Sequence, residues 1–344
     1  MTGPCTAHDQ NMLSGRAISR VGRVDATLID NRPTRVTTLA LHRIPPMSSA
    51  DDLLFPGFTS HRIDVDGVEV ACVVGGSGPP LLLLHGHPQT HAIWHKVAPR
   101  LAERYTVVAS DLRGYGDTSR PSSGADHAAY SKRAMAADQV GLMRRLGFAN
   151  FDLLAHDRGA RVAHRLSADH PASVRRLVLL DIAPTLAMYE QTSEAFARAY
   201  WHWFFLIQPP PLPERLIEAD PAAYVRDLMG ARHAGLAAFD PRALAEYVRC
   251  LSLPGAAHTL CEDYRAGASI DLEHDRADRA AGHRIDVPLL VLWGEHGVVQ
   301  RCFKPLDEWQ RVASQVSGNT LPGGHYIPEE APEALLAQVL AFLV

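Results

Sequence analysis

The sequence of 344 residues predicts an α/β fold with a mainly parallel central sheet. The first observation is a set of short, continuous apolar runs, which are typical of strands buried on both faces of a sheet. The second is that helical patterns separate these runs, as in sheets with right-handed crossover connections. The third is a long interval that lacks such a run. The predicted strands are 81–84, 105–109, 151–155, 177–180 and 289–293.

A β-hairpin is predicted before the first of these strands. Apolar and polar residues alternate over 58–74, and Asp66-Gly67 in the middle is a turn signal. Residues 75–80 then form a loop rich in glycine and proline. Helical patterns follow over about 91–103, 130–146, 158–169 and 303–314, with a last helix over 329–343.

The interval 184–285 contains helix-forming and aromatic residues but no buried-strand pattern. We interpret it as a helical cap inserted over the carboxyl edge of the sheet. The core is then formed by 47–183 and 286–344. Residues 1–46 hold six Arg but no Lys or Glu, and we expect a disordered tail or upstream sequence outside the true reading frame. We interpret Met47 as the natural start of the protein.

Composition and charge exclude several classes of protein. The formal net charge is −4 and no basic run is present, so no nucleic-acid or membrane-surface partner is expected. No apolar stretch is long enough to span a bilayer. The five cysteines are widely spaced without a CxxC pair, which indicates free thiols in a reducing cytoplasm and no metal site.

Polar residues follow each predicted strand, where open α/β sheets bind their ligands. Ala155-His156-Asp157-Arg158-Gly159 has the layout of a nucleophile elbow, with Asp157 where serine is usual. A helix N-terminus keeps such a carboxylate charged, which makes it a nucleophile that needs no activating base. The alternative is that Asp157 only caps the helix.

A covalent ester on Asp157 would need a histidine to hydrolyse it. His325 lies on a glycine-rich loop before the last helix, which is the chain order of nucleophile, acid and histidine. The third member is Asp181, directly after the strand at 177–180, with Glu295 as the alternative because Trp293-Gly294 is not followed by the usual Asp.

With these motifs the chain from about residue 53 onward resembles the α/β-hydrolase superfamily, and within it the fluoroacetate (haloacetate) dehalogenases. The motifs that carry the resemblance are His85-Gly-His-Pro-Gln-Thr-His91, Asp111-Leu-Arg-Gly-Tyr-Gly116, His156-Asp-Arg-Gly-Ala-Arg161, His202-Trp203, Gln208-Pro-Pro-Pro-Leu-Pro-Glu214, Cys261-Glu-Asp-Tyr-Arg-Ala-Gly267 and Gly324-His325. They cover both the core and the cap.

The resemblance implies an α/β-hydrolase fold and hydrolysis of small 2-haloacids through an ester of Asp157, without metal or organic cofactor. It assigns the base to His325 and its orientation to Asp181. Arg158 and Arg161, which share a helix face, would bind the substrate carboxylate. The resemblance also implies a homodimer.

The departing halide is assigned to three cap residues, whose N–H and O–H groups are suitable donors: His202, Trp203 and Tyr264. Trp203 also fits a simple core position in the aromatic run 201–205. His87 stands where the family usually has Phe; its backbone N–H, with that of Arg158, fits an oxyanion hole. The segment 229–235 lacks the expected tryptophan, so pocket size and halide preference stay open.

Two other functions remain. An epoxide hydrolase would use the same Asp157 and His325 with cap tyrosines as acids, and the candidates are Tyr189, Tyr200, Tyr224, Tyr247 and Tyr264. The two arginines argue against its uncharged substrate. A non-catalytic binding protein on this fold would tolerate loss of Asp157 or His325, and neither is lost.

Overall fold

The computed structural model describes residues 49–344, so the predicted N-terminal extension 1–46 lies outside the described residues. Within 49–344, eight strands form one sheet in the order β1-β2-β4-β3-β5-β6-β7-β8. Their bounds are Thr59–Val65 (β1), Val68–Gly75 (β2), Pro80–Leu84 (β3), Thr106–Ser110 (β4), Phe151–His156 (β5), Val174–Leu180 (β6), Leu289–Gly294 (β7) and Val316–Leu321 (β8). This arrangement confirms the predicted α/β fold.

The hairpin and the sheet directions follow the predictions. β1 pairs antiparallel with β2 around Asp66 and Gly67, which both have positive φ. β2 pairs antiparallel with β4, and all later pairings are parallel. β3 lies between β4 and β5, so the strand order reverses there, and the ligand site of such sheets lies at this point.

The helices outside the long insertion flank the sheet. They are Ser49–Leu54 (α1), Ala98–Leu101 (α2), Lys132–Arg145 (α3) and Asp157–Asp169 (α4). The interval between β6 and β7 is helical, with Thr185–Glu190 (α5), Glu194–Ala199 (α6), Trp201–Leu206 (α7), Leu212–Ala219 (α8), Pro221–Gly230 (α9), Pro241–Leu251 (α10), Ala256–Ala268 (α11) and Ile270–Ala280 (α12). The C-terminal part adds Val298–Cys302 (α13), Pro305–Val312 (α14), Ile327–Glu330 (α15) and Pro332–Phe342 (α16). Short 3₁₀ helices occupy His91–Lys96, Ala128–Tyr130 and Pro171–Ser173.

Two predicted helices were wrong in their continuity. The predicted helix 91–103 is a 3₁₀ helix followed by α2, and the last helix is divided into α15 and α16, whereas the predicted helix 303–314 corresponds to α14. The second helix of each divided pair has a proline in its first turn, Pro99 or Pro332. Proline has no N–H to continue a helix but is accommodated in a first turn, so each proline starts a new helix. The edge strand β8 was not among the predicted strands, because its residues are half-exposed and include Gly318.

Two apolar clusters cover the two faces of the sheet. Along β3, Leu81 and Leu83 belong to one cluster and Leu82 and Leu84 to the other, as the two-residue period of a strand requires. One cluster joins the sheet to α3, α4 and α14. The other joins it to α2, α16 and the inserted helices, which include Trp203 and Tyr264. The insertion therefore shares a core with the sheet.

Candidate active site

The candidate site is built around Asp157, at the sharp turn from β5 into α4. Asp157 has a φ of 46°, a left-handed conformation that is unusual for a residue other than glycine and typical of strained functional turns. Two glycines make room for this turn. A Cβ on Gly86 would lie 2.5 Å from the Asp157 Cβ, and one on Gly159 would lie 2.3 Å from the His85 carbonyl oxygen.

The Asp157 carboxylate is held as an anion. Its Oδ1 accepts a hydrogen bond from the His87 backbone N–H at 2.9 Å, and its Oδ2 lies 3.8 Å from His325 Nε2. Burial would raise the pKa of Asp157, but electrostatic interactions with the neighbouring His325, His156, Arg161 and Arg158 lower it well below the usual range. The group is therefore an ionised carboxylate in a buried environment.

His325 is oriented by the carboxylate of Asp181. The His325 Nδ1 donates to Asp181 Oδ2 at 2.6 Å, and Asp181 Oδ1 accepts from the Gly294 backbone N–H at 3.1 Å. This leaves Nε2 of His325 directed toward Asp157. The alternative acid, Glu295, is half-exposed and pairs with His296 at 3.2 Å instead. The three side chains that meet are thus Asp157, His325 and Asp181.

The two arginines after the elbow are not equivalent. The Arg158 side chain makes two hydrogen bonds to the Asp263 carboxylate, Nε to Oδ2 at 2.8 Å and Nη2 to Oδ1 at 2.9 Å. Lys132 forms a second ion pair with Asp263, and the Tyr115 hydroxyl donates to it at 2.7 Å. Burial would raise the pKa of Asp263, but the charges of Arg158 and Lys132 lower it. Arg158 therefore already has a carboxylate partner, which it shares with Lys132.

Arg161 has no carboxylate partner among the described residues. Its Nη1 donates to Thr185 Oγ1 at 3.0 Å and to the Ala183 carbonyl at 3.2 Å, and Nη2 lies 3.2 Å from Met188 Sδ. The Nε is buried without a partner, and the guanidinium lies 4.7 Å from the Trp203 ring centre. A buried cation with neutral contacts favours an anionic ligand.

Three polar groups from the inserted helices are buried near Asp157 without partners among the described residues. They are His202 Nδ1, Trp203 Nε1 and the Tyr264 hydroxyl. The Tyr264 ring lies 5.9 Å from His202 and 6.5 Å from Trp203. Unsatisfied buried polar groups are costly, so such a set needs a ligand. We call these three residues the donor cluster.

His87 forms part of the site wall through its side chain as well as its backbone. Its ring lies parallel to that of His202 at 5.7 Å, and its Nε2 lies 3.1 Å from the Tyr224 hydroxyl. Burial lowers the pKa of His87 to about 3, so the imidazole is neutral at pH 7. Where the family usually has Phe, this chain has a neutral, polar wall.

The sequence analysis missed two charged residues beside the site. Asp263 stands within the motif 261–267, but no role was assigned to it. Arg232 stands in the segment 229–235, which was noted only for its lack of tryptophan. Its guanidinium lies 4.6 Å from the Tyr200 ring centre, and Tyr200 in turn contacts His325. The position in the sequence gave no signal for either contact.

No metal-binding group of three or more His, Cys, Asp or Glu side chains occurs in 49–344. The four cysteines of this region are free thiols: Cys72, Cys250, Cys261 and Cys302. In the part of the chain that the structure describes, no helix is both long and apolar enough to cross a membrane.

Comparison with known proteins gives consistent matches. The family described as alpha/beta hydrolase fold matches residues 79–332. The chain is 48% identical over 281 residues to a fluoroacetate dehalogenase from Burkholderia sp., covering 81% of this chain and 92% of that protein. It is 34% identical over 291 residues to a soluble epoxide hydrolase from Corynebacterium sp. (strain C12), covering 83% of this chain and 96% of that protein. A crystal structure from Nostoc sp. PCC 7120, described as an alpha/beta hydrolase, superimposes with a TM-score of 0.81 at 53% identity, covering 83% and 98%.

Proposed function

Because the chain belongs to the α/β-hydrolase family and is similar to a fluoroacetate dehalogenase, we propose that it hydrolyses the carbon–halogen bond of small 2-haloacids. The substrate class is a monocarboxylate such as fluoroacetate or chloroacetate. The products are the 2-hydroxy acid and the halide ion. No cofactor takes part in the steps below.

In the first step, an Asp157 oxygen attacks the carbon that bears the halogen, on the side opposite the halogen. The carbon–oxygen bond forms as the carbon–halogen bond breaks, and the halide leaves with the bonding electrons. Arg161 binds the substrate carboxylate, and Arg158, fixed by Asp263, contributes positive charge beside it. The donor cluster stabilises the charge that develops on the halogen.

In the second step, water hydrolyses the ester at the Asp157 carboxyl carbon. His325 Nε2 takes a proton from the water, and Asp181 keeps the ring oriented through Nδ1. The His87 backbone N–H, which bonds Asp157 Oδ1, stabilises the negative charge that develops on that oxygen. Cleavage returns the Asp157 carboxylate and releases the 2-hydroxy acid.

The observation that carries the proposal is the donor cluster. His202, Trp203 and Tyr264 each carry a buried polar atom that has no hydrogen-bond partner among the described residues, and their rings lie close together. A leaving group that departs as an anion satisfies these donors. The buried Arg161, without a carboxylate partner among the described residues, independently favours an acidic substrate.

An epoxide hydrolase is the second candidate. It is supported by the Corynebacterium relative and by the buried hydroxyls of Tyr189 and Tyr264, which have no partner within 49–344. Tyr224 and Tyr247 are less suited as acids, because their hydroxyls contact His87 and Glu329. An uncharged epoxide would leave Arg161 buried without a counterion, so we favour the haloacid.

Halide release tests the proposal. The purified protein is incubated with fluoroacetate, with chloroacetate and with an uncharged epoxide, and free fluoride, chloride and diol are measured. We expect halide release that Asp157→Asn abolishes, and ¹⁸O from labelled water in the Asp157 carboxylate after many turnovers. Diol without halide would establish the epoxide hydrolase instead, and label entering the product directly in the first turnover would exclude the ester.

A further inference from the structure

An open cavity of about 460 Å³ lies on the His325 side of the site. Its charged or titratable lining consists of Arg232, Arg301, His233, His296 and His325, and no acidic residue is among the described residues that line it. A volume of this size is in the range of ligand pockets, whereas a haloacetate has only a few non-hydrogen atoms. The cavity is therefore larger, and its lining more positively charged, than a haloacetate requires.

Arg232 is the innermost cation of this cavity. Its guanidinium packs against the Tyr200 ring at 4.6 Å, and its Nη1 donates a long hydrogen bond of 3.4 Å to the Ala199 carbonyl. The Tyr326 side chain also contacts it. None of the carboxylates in 49–344 forms an ion pair with Arg232. A partly buried guanidinium with only neutral direct contacts is a binding group for an anion.

Tyr200 connects Arg232 to the reaction centre. The Tyr200 ring lies 6.1 Å from the His325 ring and 5.3 Å from the His202 ring. Arg232 is therefore separated by one aromatic ring from the proposed base and from the donor cluster. Burial would lower the pKa of Arg232, but Tyr200, Tyr326 and the carboxylates of Asp157 and Asp181 together raise it.

The reacting carbon of a 2-haloacid carries a carboxylate, a halogen and two further substituents. In the proposed function the carboxylate binds Arg161 and the halogen faces the donor cluster. The cavity, which His325 lines, offers space for one of the two further substituents beside the reaction centre. In a haloacetate both are hydrogen atoms, which leave the cavity unfilled and Arg232 without an ion-paired carboxylate among the described residues.

We propose that Arg232 binds a second carboxylate of the substrate, so that the enzyme accepts four-carbon 2-halo dicarboxylates such as 2-chlorosuccinate. The inference rests on the proposed function. Asp157 displaces chloride from the second carbon, the chloride leaves with the bonding electrons, and water then cleaves the ester. His325 takes the water proton, and a 2-hydroxy dicarboxylate is released.

The first test compares chloride release from 2-chlorosuccinate, 2-chloropropionate and chloroacetate. We expect wild type to use 2-chlorosuccinate, and Arg232→Gln to lower its kcat/KM relative to that of 2-chloropropionate about 10- to 100-fold, as expected for loss of a charged hydrogen bond. Arg232→Lys should restore part of this preference. Arg198→Gln, which removes an exposed cation from α6, is the matched control and should keep the wild-type ratio.

Equal losses on all three substrates in Arg232→Gln would show a structural role through Tyr200 and overturn the proposal. So would a wild-type enzyme that turns over chloroacetate but not 2-chlorosuccinate, and in that case the proposed function stands. Calorimetric titration with succinate and with propionate measures binding affinity at Arg232 without turnover. Tighter binding of succinate that Arg232→Gln removes would support the site even if no haloacid is hydrolysed, and equal binding of the two would exclude it.

Discussion

At the scale of the residue, the proposed mechanism uses His325 in the second chemical step only. Its Nε2 is directed at Asp157, and its Nδ1 is occupied by Asp181. Removing the imidazole leaves the nucleophile and the donor cluster intact. The displacement and the hydrolysis are therefore separable by one substitution.

We expect His325→Gln to release one equivalent of halide and then stop. The ester on Asp157 should accumulate, because the loss of a general base slows hydrolysis by about 10²–10⁴-fold. Intact-protein mass spectrometry after exposure to chloroacetate checks this through the added mass of the glycolyl group, with Asp157→Asn as the control that gains no mass. Sustained halide release by His325→Gln would contradict the assigned role.

Asp263 has a different task, since it touches Arg158 and Lys132 rather than the reacting atoms. Asp263→Asn leaves the buried Arg158 without its carboxylate, while Lys132 keeps Asp271 at 3.4 Å. We expect a loss in the free energy of unfolding of about 3–5 kcal/mol, as for other broken buried ion pairs. We also expect a higher KM for chloroacetate with a smaller change in kcat, because Arg158 loses its fixed orientation.

The matched control for Asp263 is Glu194→Gln, which breaks an ion pair with Arg198 on the protein surface. Exposed pairs contribute less than about 1 kcal/mol, so denaturant unfolding of this variant should follow wild type. If Asp263→Asn lowers stability while KM and kcat stay as they were, Asp263 holds the insertion in place without positioning Arg158.

At the scale of the element, α15 is joined to α10 and to the loop after β3 through Glu329. The buried Glu329 Oε2 accepts from Gln89 Nε2 at 2.6 Å and from the Tyr247 hydroxyl at 3.0 Å. Burial raises the pKa of Glu329 to about 8, and the nearby Lys96 and the two hydrogen bonds counteract this only in part. The group is therefore protonated at pH 7.

This pKa makes the junction sensitive to alkaline conditions. The folded chain binds the Glu329 proton more tightly than the unfolded chain, whose pKa is near the usual 4.5. The unfolded state therefore binds fewer protons between pH 4.5 and about 8, and the contribution of Glu329 to stability falls as the pH rises through this range. Above about pH 8, the destabilising contribution of Glu329 no longer changes with pH.

We expect Glu329→Gln to be more stable than wild type at pH 8, with a difference that shrinks toward pH 5. The glutamine oxygen can accept the same two hydrogen bonds, and the variant has no carboxyl to ionise. Urea unfolding of both proteins from pH 5 to 9 checks this, and Glu333→Gln, at an exposed position in α16, serves as control. A difference that does not vary with pH would exclude the titration of Glu329 as its cause.

At the scale of the whole molecule, the helical insertion and the sheet are held together by buried contacts. Asp263 of α11 binds α3 and α4, Tyr247 of α10 binds α15, and Thr259 of α11 donates to the Gly114 carbonyl at 2.8 Å. One apolar cluster runs from β3 to Trp203 and Tyr264. The division into core and cap stays a proposal about how the chain is organised.

We therefore expect the insertion and the sheet to unfold in one cooperative transition. The separated insertion would expose its share of the common core, so it gains no stability of its own. Guanidinium unfolding followed by tryptophan fluorescence and by far-ultraviolet circular dichroism should give coincident midpoints. Fluorescence that changes at a lower denaturant concentration than the dichroism would indicate a cap that detaches before the core unfolds.

The sequence by itself determined the fold class, the positions of most strands and the elbow at Asp157, because these follow from local patterns. A buried parallel strand needs a short apolar run, and the elbow needs small residues around one side chain at a sharp turn. Helix continuity was predicted less well, since Pro99 and Pro332 lie in the first turn of new helices within patterns that read as continuous.

Only the tertiary structure decided which charges meet. Asp181 rather than Glu295 faces His325, and Arg232 reaches the site from the insertion. Asp263 pairs with Arg158, while Arg161 stays without a carboxylate partner in the described part of the chain. These partners are separated by tens of residues or more along the chain, so no local pattern relates them. Electrostatic interactions depend on distance and burial in space, and both are set by how the insertion packs on the sheet.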